Sequence, residues 1–583
     1  MTTATVSSIY TPAFLSQTYT PGVNWDLDIP EHPIQQFVDD AAKRFGRAEG
    51  FNFKGKTYSW RKLARMSDRI AEGLQERGLQ KGERVALMLP NTFEYAALYY
   101  GVLKAGGIVV NVNPMYPEDQ IEHFVKDSGA KFIATLDIKP FFGKARAAMK
   151  ALGHQVEDLI VCPMDQALPL GLKVAFNTLK RAEVDPRAYN MGYRMFADFR
   201  SFRGRYKKVA IDPKNDVAVL QYTGGTTGLP KAAMLSHYNV ASIAHQARAW
   251  MPDAKEGIGA SLAVIPFFHV FSMSAILNLS VRMGWTIHAM PKPDLAEAGK
   301  LIQKHRITFL GGVPTLFQGL VRSFKGRIDS LERSISGGAP LPADVKGEFE
   351  TKSGARVWEG FGMTEMPVAT CQPSHVSGAA GNVGIPFPRN EVRIVSPEDG
   401  VTDMPVGEAG EIILRGPARM LGYWNNEAET AKTIRDGWLY TGDLGTADAN
   451  GVITIVGRSK DLIIVNGYNV YPKKAEGILD ETGKFAEVMV FGVKDKRSGE
   501  APIVLVRPKD GVEVNAQEIH RLLRSKLSRS DWPREVIVTS DELPKTEGIA
   551  KLAKRLAQDK YNAGHYEGMA VRFKAGDAPV PTV

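Results

Sequence analysis

Val217-Ala-Val-Leu-Gln-Tyr-Thr223-Gly-Gly-Thr-Thr-Gly-Leu-Pro-Lys231 decides how this chain is built. Val217 to Gln221 is a largely apolar run that meets a Gly-rich tract, the pattern of a buried strand entering a loop, and a helix is expected to follow near Ser236. Gly224, Gly225 and Gly228 carry no Cβ and tolerate positive φ, so the loop backbone can approach an anion closely. Thr223, Thr226, Thr227 and Lys231 are side-chain donors for phosphate oxygens, and successive backbone amides add more. A Walker A loop places four residues between its first glycine and a Gly-Lys-Ser/Thr ending, whereas here Leu-Pro separates Gly228 from Lys231. The competing reading is a Gly- and Thr-rich turn without a ligand; the density of donors and glycines between Thr223 and Lys231 weighs against it.

Outward from this stretch, apolar periods alternate. A helix is expected over 33–45 with Ile34, Phe37, Val38, Ala41 and Phe45 on one face, then a strand over 84–89, a helix over 91–104, a strand over 107–112, a helix over 117–127 and a strand over 131–136. This βαβαβ rhythm implies a parallel sheet covered by helices. It resumes after 217–221 with a helix over 236–250, a strand over 261–265, a helix over 295–305, a strand over 307–310 and a helix over 315–322. Between Glu391 and Gly416 short strands with Gly and Pro turns suggest a β-rich subdomain. From about Arg458 a smaller α+β unit begins, with strands over 463–465, 487–493, 502–506 and 535–538 and helices over 473–479 and 516–527. The expected fold class is α/β. Residues 1–458 would form a large N-terminal domain of parallel α/β sheets plus a β-rich subdomain, and residues 459–583 a small, mobile C-terminal α+β domain. A hinge is expected near Lys460 and a loose tail after about residue 563.

A chain of 583 residues exceeds what one hydrophobic core supports. The two cysteines, Cys162 and Cys371, have no metal or redox spacing, which points to a reducing cytoplasm. Met1 to Phe14 is polar and uncharged, unlike a secretory signal. The apolar stretch 95–112 is broken by Lys104 and Gly106-Gly107, so it reads as a buried helix and a strand rather than a membrane span. With 73 basic and 64 acidic residues the net charge is +9, a mildly basic surface suited to polyanions such as nucleotides and coenzyme A, or to acidic lipid headgroups. Basic residues are not interleaved with aromatics as in a nucleic-acid groove, so no nucleic-acid partner is expected.

Tyr222 to Lys231 resembles the signature of the adenylate-forming superfamily, and further blocks follow in that family's order. They are Ser336-Gly-Gly-Ala-Pro-Leu341, Glu359-Gly-Phe-Gly-Met-Thr-Glu365, Trp438-Leu-Tyr-Thr-Gly-Asp443, Gly457-Arg-Ser-Lys-Asp-Leu462 and Pro544-Lys-Thr546. The resemblance spans about Pro33 to Leu556 and is strongest to bacterial long-chain fatty-acid–CoA ligases, through 107–116, Leu421-Gly-Tyr-Trp424 and Asn466-Gly-Tyr-Asn-Val-Tyr-Pro472. It implies a two-step reaction. A carboxylate attacks the α-phosphorus of Mg·ATP to give acyl-AMP and pyrophosphate; a thiol, usually of coenzyme A, then displaces AMP, and the small domain rotates between the steps.

The resemblance also implies roles. Thr223, Gly224, Gly225, Thr226, Thr227, Gly228 and Lys231 would hold the phosphates. Gly338, Ala339 and Pro340 would line the adenine pocket, and Glu359, Gly360, Phe361, Gly362, Met363 and Thr364 would complete it, with Phe361 offering an aromatic face and Thr364 a donor to the α-phosphate. Glu365 supplies a hard oxygen for Mg²⁺. Asp443 would accept from the ribose hydroxyls, Arg458 would bind ribose or phosphate, and Lys460 would be the hinge. His269, in Pro266-Phe-Phe-His269, would lie near the acyl carboxylate, where an imidazole can orient that group. In the family a lysine follows Pro-Lys-Thr and neutralises charge during adenylation. Here a gapless alignment offers no lysine, while one inserted residue brings Ala550-Lys551-Leu552 into place, making Lys551 the expected catalytic lysine.

A medium- to long-chain fatty acid is the expected substrate; a dicarboxylic, alicyclic or aromatic acid, or an acyl-AMP ligase loading a carrier protein, are the alternatives. ATP, Mg²⁺ and coenzyme A are the expected cofactor and co-substrates. The insert 170–181 groups Leu172, Ala175, Phe176 and Leu179. It reads first as a surface helix packed on the core and second as a contact with the inner face of the membrane. Oligomeric state is open, a homodimer among the options. A non-catalytic acid-binding descendant of the family is the third hypothesis, resting on the altered lysine region.

Overall fold

The computed structural model describes residues 5–153, 158–190, 192–223, 230–373, 381–466, 468–545 and 552–573. Helix Phe93–Lys104 shows why the two larger sheets come together. Thr92 caps it by accepting from the Tyr95 amide, and all of its residues are buried. A helix buried on every side and apolar over most of its length offers no face to water. It packs against the strand Glu49–Phe53 of one sheet and against Arg84–Met88 and Ile108–Asn111 of the other. Of its two ionisable residues, Glu94 is buried with its pKa raised by lost solvation, and Lys104 is neutralised by Asp39 at 2.5 Å and Asp68 at 2.6 Å, which ties the helix to Gln36–Arg44 and Trp60–Glu76.

The largest sheet has a parallel core in the order Glu49–Phe53, Thr286–Ala289, Ala260–Ala263, Phe309–Gly312, Arg333–Ser336 and Val357–Met363. It continues antiparallel through Met366–Cys371, Asn382–Pro386, Ile453–Arg458, Trp438–Ala447, Gly410–Arg415 and Glu391–Val395. The expected β-rich subdomain is therefore an extension of this sheet. A second sheet runs Gly422–Tyr423, Ala232–Ser236, Val217–Tyr222, Ile108–Asn111, Arg84–Met88, Ala130–Leu136, Asp158–Cys162 and Arg194–Met195. A third, smaller sheet contains Ile463–Val465, Tyr468–Val470, Phe485–Asp495, Gly499–Pro508, Glu535–Val538 and Ala570–Arg572, with the helices Pro472–Asp480 and Ala516–Lys526 packed on it.

Two expectations need correction, and one element was not anticipated. The helix expected near Ser236 is His237–Trp250 with Ser236 as its N-cap, but Ala232–Ser236 precedes it as a strand antiparallel to Val217–Tyr222. Ala-Ala-Met-Leu-Ser has helix-forming composition, and only the neighbouring strands make it extended. The tail beyond 563 is not loose throughout, because Ala570–Arg572 pairs with Glu535–Val538 and Arg572 Nε donates to Glu535 Oε1 at 2.6 Å. Finally, Leu170–Leu179 is a helix with no buried residue: Leu170, Leu172, Val174 and Leu179 are exposed, and Phe176 alone of the expected face packs on the core. Among the described residues no helix is long and apolar enough to cross a membrane.

Candidate active site

Ala260–Ala263, Phe309–Gly312, Arg333–Ser336 and Val357–Met363 are parallel neighbours and deliver their C-terminal ends to one edge, the edge at which open α/β sheets bind ligands. After Ser336 the Gly337 amide donates to the Gly312 carbonyl at 3.1 Å, and Gly338 takes φ +82°, a left-handed conformation that favours glycine. Gly338, Ala339 and Pro340 are consequently exposed at the sheet edge. Glu359 supports them from behind. Its buried carboxylate accepts from the Leu341 amide at 3.1 Å and meets Lys346 at 3.6 Å, and burial raises its pKa above the ordinary carboxylate value. The side chain expected among the nucleotide contacts is thus committed to the loop's own backbone.

Gly360, Phe361, Gly362 and Met363 run along the end of their strand, and Thr364-Glu365 is the turn of the hairpin to Met366–Cys371. A Cβ on Gly362 would stand 2.2 Å from the Pro367 carbonyl oxygen, so only glycine lets the hairpin close. Thr364 is half-buried, but Glu365 is buried and accepts a 2.6 Å hydrogen bond from the Tyr423 hydroxyl. Burial raises the Glu365 pKa, and Tyr423, Lys231 and Arg458 pull it back.

Tyr423 belongs to the second sheet, beside Ala232–Ser236. Lys231 therefore reaches the same place: it closes the glycine loop, with the Thr223 amide donating to the Lys231 carbonyl at 2.8 Å. It pairs with Glu429 and lies 5.3 Å from the Tyr423 ring centre. Gly224, Gly225, Thr226, Thr227 and Gly228 lie outside the described residues. Asp443 and Arg458 face each other across antiparallel strands, Nε to Oδ1 3.0 Å, with Asp443 buried and Arg458 exposed. Lys460 follows in the turn Ser459–Asp461, where loss of solvation and then repulsion from Arg458 lower its pKa.

His269 caps the short helix Val270–Ser272: its Nδ1 accepts from the Phe271 amide at 3.3 Å. In the neutral ring this leaves the proton on Nε2, free to donate to a carboxylate oxygen. The ring is exposed to solvent, and the protein around it lowers its pKa through lost solvation. Its loop is clamped from below. Asn91 accepts from the Phe267 amide at 2.6 Å and donates to the Ile265 carbonyl at 2.9 Å, and Gln221, held by Asn111, donates to the Phe268 carbonyl at 2.9 Å. Phe271 then comes close to Gly337.

The fold thus gathers Thr223, Lys231, Thr364, Glu365, Asp443, Arg458 and Lys460 with the Gly338–Pro340 loop and His269. Lys551 lies outside the described residues, in a segment whose flanks are joined by a bridge between Lys545 and Leu552. Sequence reasoning missed Tyr423 and Glu429 as partners of Glu365 and Lys231. Tyr423 sits inside a quoted motif, whereas Glu429 reads as an ordinary helix acid. Among the described residues no group of three or more His, Cys, Asp or Glu side chains suits a metal. A single carboxylate such as Glu365 fits Mg²⁺, which keeps several waters and takes further ligands from phosphates.

Residues adjoining two of these motifs line an apolar slot of about 20 Å³, room for roughly one water. Ile335, the residue before Ser336, and Trp358, the residue before Glu359, form one wall; Ala275 and Leu279, beyond His269, form another. A larger polar cleft of about 420 Å³, lined by His288, His305 and Arg306, lies at the opposite, N-terminal strand ends and contains none of the motif residues.

Comparison with known proteins places these observations. The family described as AMP-binding enzyme matches residues 38–424, and its C-terminal domain matches residues 474–548. A long-chain-fatty-acid–CoA ligase of Bacillus subtilis (strain 168) is 36% identical over 560 residues, covering 94% of this chain and 98% of its own. A long-chain-fatty-acid–CoA ligase of Yersinia pestis is 34% identical over 536 residues, covering 90% and 94%. The crystal structure of ATP-bound MatB from Rhodopseudomonas palustris superposes with a TM-score of 0.79 at 27% identity, covering 91% of this chain and 99% of its own.

Proposed function

The chain belongs to the AMP-binding enzyme family, and from that premise we propose that it is an ATP-dependent acyl-CoA ligase acting on medium- to long-chain fatty acids. The carboxylate oxygen attacks the α-phosphorus of ATP, the bond to the bridging oxygen breaks and pyrophosphate leaves. The coenzyme A sulfur then attacks the acyl carbon, AMP leaves and the thiol proton passes to solvent. Names of the Bacillus and Yersinia relatives support the acid class. The observation that carries it is the slot walled by Ile335, Trp358, Ala275 and Leu279, which is apolar: an alkyl chain gains from burial there, while a second carboxylate would be stranded without a partner.

The residues divide the work. The Thr223–Lys231 loop receives the pyrophosphate end, Gly338–Pro340 and Gly360–Met363 receive adenine, and Asp443 with Arg458 receives ribose. Glu365 would hold Mg²⁺, which when bound neutralises charge on the phosphates. Thr364 donates to the α-phosphate and His269 orients the carboxylate through Nε2–H. Lys551 offsets the charge that develops during adenylation. Residues 459–583 form the mobile part, turning about Lys460.

The test is AMP release with coenzyme A across short- to long-chain, dicarboxylic and aromatic acids, with pyrophosphate exchange in parallel. Fatty acids should give AMP and a thioester. Acyl-AMP without thioester would select a ligase that loads another acceptor, and no exchange with any acid would end the enzymatic reading. In the same assay Lys551→Ala should lower exchange by about 10²–10³-fold while sparing thioester formation from supplied acyl-AMP; near-normal exchange removes Lys551 from the mechanism.

Peripheral contact with an anionic membrane surface belongs to the same proposal. Leu170, Leu172, Val174 and Leu179 project from a helix without buried residues. The net charge of +9 favours an acidic surface.

A further inference from the structure

The apolar slot is lined by side chains that yield and by one that does not. It runs beside the helical segment that follows His269, in which Met273–Asn278 is a π-helical turn, a feature common at functional sites. Leu279 lies ten residues beyond His269, at most about 15 Å along a helix. With room for about one water, the slot admits an alkyl chain only if its lining moves. Met251 and Leu279 are flexible side chains that can change rotamer.

Trp250, at the end of helix His237–Trp250, cannot follow them. It is buried, its Nε1–H donates to the Gln372 carbonyl at 3.1 Å, and the Phe387 ring lies 4.8 Å away. Tyr19 meets it edge-on at 5.2 Å and is itself held by a 2.9 Å hydrogen bond from its hydroxyl to the Pro386 carbonyl. Tyr19 follows the N-terminal helix Pro12–Thr18, and Gly22 beyond it presses on Pro252, where a Cβ would come within 3.3 Å. The N-terminal segment thus braces the turn that carries Trp250.

We propose that Trp250 is the stop that sets acyl chain length and that the N-terminal segment, through Tyr19, fixes its position. This rests on the fatty-acid reading above. A smaller side chain at 250 enlarges the slot, and a larger one at Ala275, on the helical segment that follows His269, fills it.

The experiment measures kcat/KM for straight-chain acids of increasing length in the full-length wild type, Trp250→Leu, Ala275→Leu and Tyr19→Phe, each first checked by thermal melting. Trp250→Leu should move the optimum to longer acids and Ala275→Leu to shorter ones. The long-to-short ratio should change by about tenfold or more, the scale of one or two methylenes in an apolar pocket. Tyr19→Phe, which keeps the ring and loses only the hydroxyl anchor, should broaden the profile on the long side. If Trp250→Leu does not fold, the Ala275→Leu and Tyr19→Phe profiles decide. Folded variants with the wild-type optimum overturn the stop. A wild type that activates another acid class but no straight-chain acid overturns the fatty-acid reading instead.

Discussion

At the scale of the residue, Glu365 carries the conflict between stability and function. Its folded pKa is raised, first by burial, so its protonated form is the one the nucleotide-free fold favours. The contribution to stability is present below the carboxyl's unfolded pKa and is lost as pH rises through the folded one. Glu365→Gln should therefore raise the Tm of the nucleotide-free protein at neutral pH, with a gain that shrinks toward about pH 4. Pyrophosphate exchange should fall by at least about tenfold, since Gln offers no charge to the metal. Melting curves across pH check this; a Tm difference independent of pH would show that ionisation is not its cause. Glu365 was legible from its motif, because the spacing after Glu359 marks it. Its hydrogen bond to Tyr423 was not: 58 residues separate them, and only the meeting of two sheets brings them to 2.6 Å. Glu359 shows the reverse case, a motif acid whose carboxylate braces the Leu341 amide and Lys346.

Elements repeat the pattern. Helix Phe93–Lys104 and the parallel strands were readable because a mostly apolar helix and short apolar runs between turns have few alternatives. Ala232–Ser236 was not, since its five residues carry no period and their extension is imposed by Val217–Tyr222 and Gly422–Tyr423 on either side. Helix Leu170–Leu179 was readable as an element but not in its exposure, because a sequence cannot show which apolar face finds a neighbour. Replacing Leu170, Leu172 and Leu179 with Ser should reduce sedimentation with anionic phosphatidylserine vesicles by about tenfold or more, each buried leucine contributing about 1.5 kcal/mol or more at the interface. AMP release with a water-soluble short acid should stay within about twofold, because none of the three touches the site. Unchanged sedimentation would remove this helix as the contact.

For the whole molecule, the question is how one chain performs two half-reactions. The large sheet ends at Arg458, the small sheet starts at Ile463, and the turn Ser459–Asp461 connects them. Proline fixes φ, so Lys460→Pro should hold one arrangement of the two parts. Pyrophosphate exchange should persist within about threefold while thioester formation from acyl-AMP slows by about tenfold or more. Equal loss in both half-reactions would argue against a hinge at this position. The sequence alone determined the Gly- and Thr-rich tract, the order of the motifs and the α/β class, because each is local: glycines, donors and apolar periods act over fewer than twenty or so residues. Only tertiary structure decided that the loop is followed by a second strand, that Glu365 is buried against Tyr423, that Lys231 is paired with Glu429 and that Trp250 lines the slot. These depend on which distant surfaces meet, and that is fixed by the packing of two sheets around a buried helix rather than by any stretch of the chain.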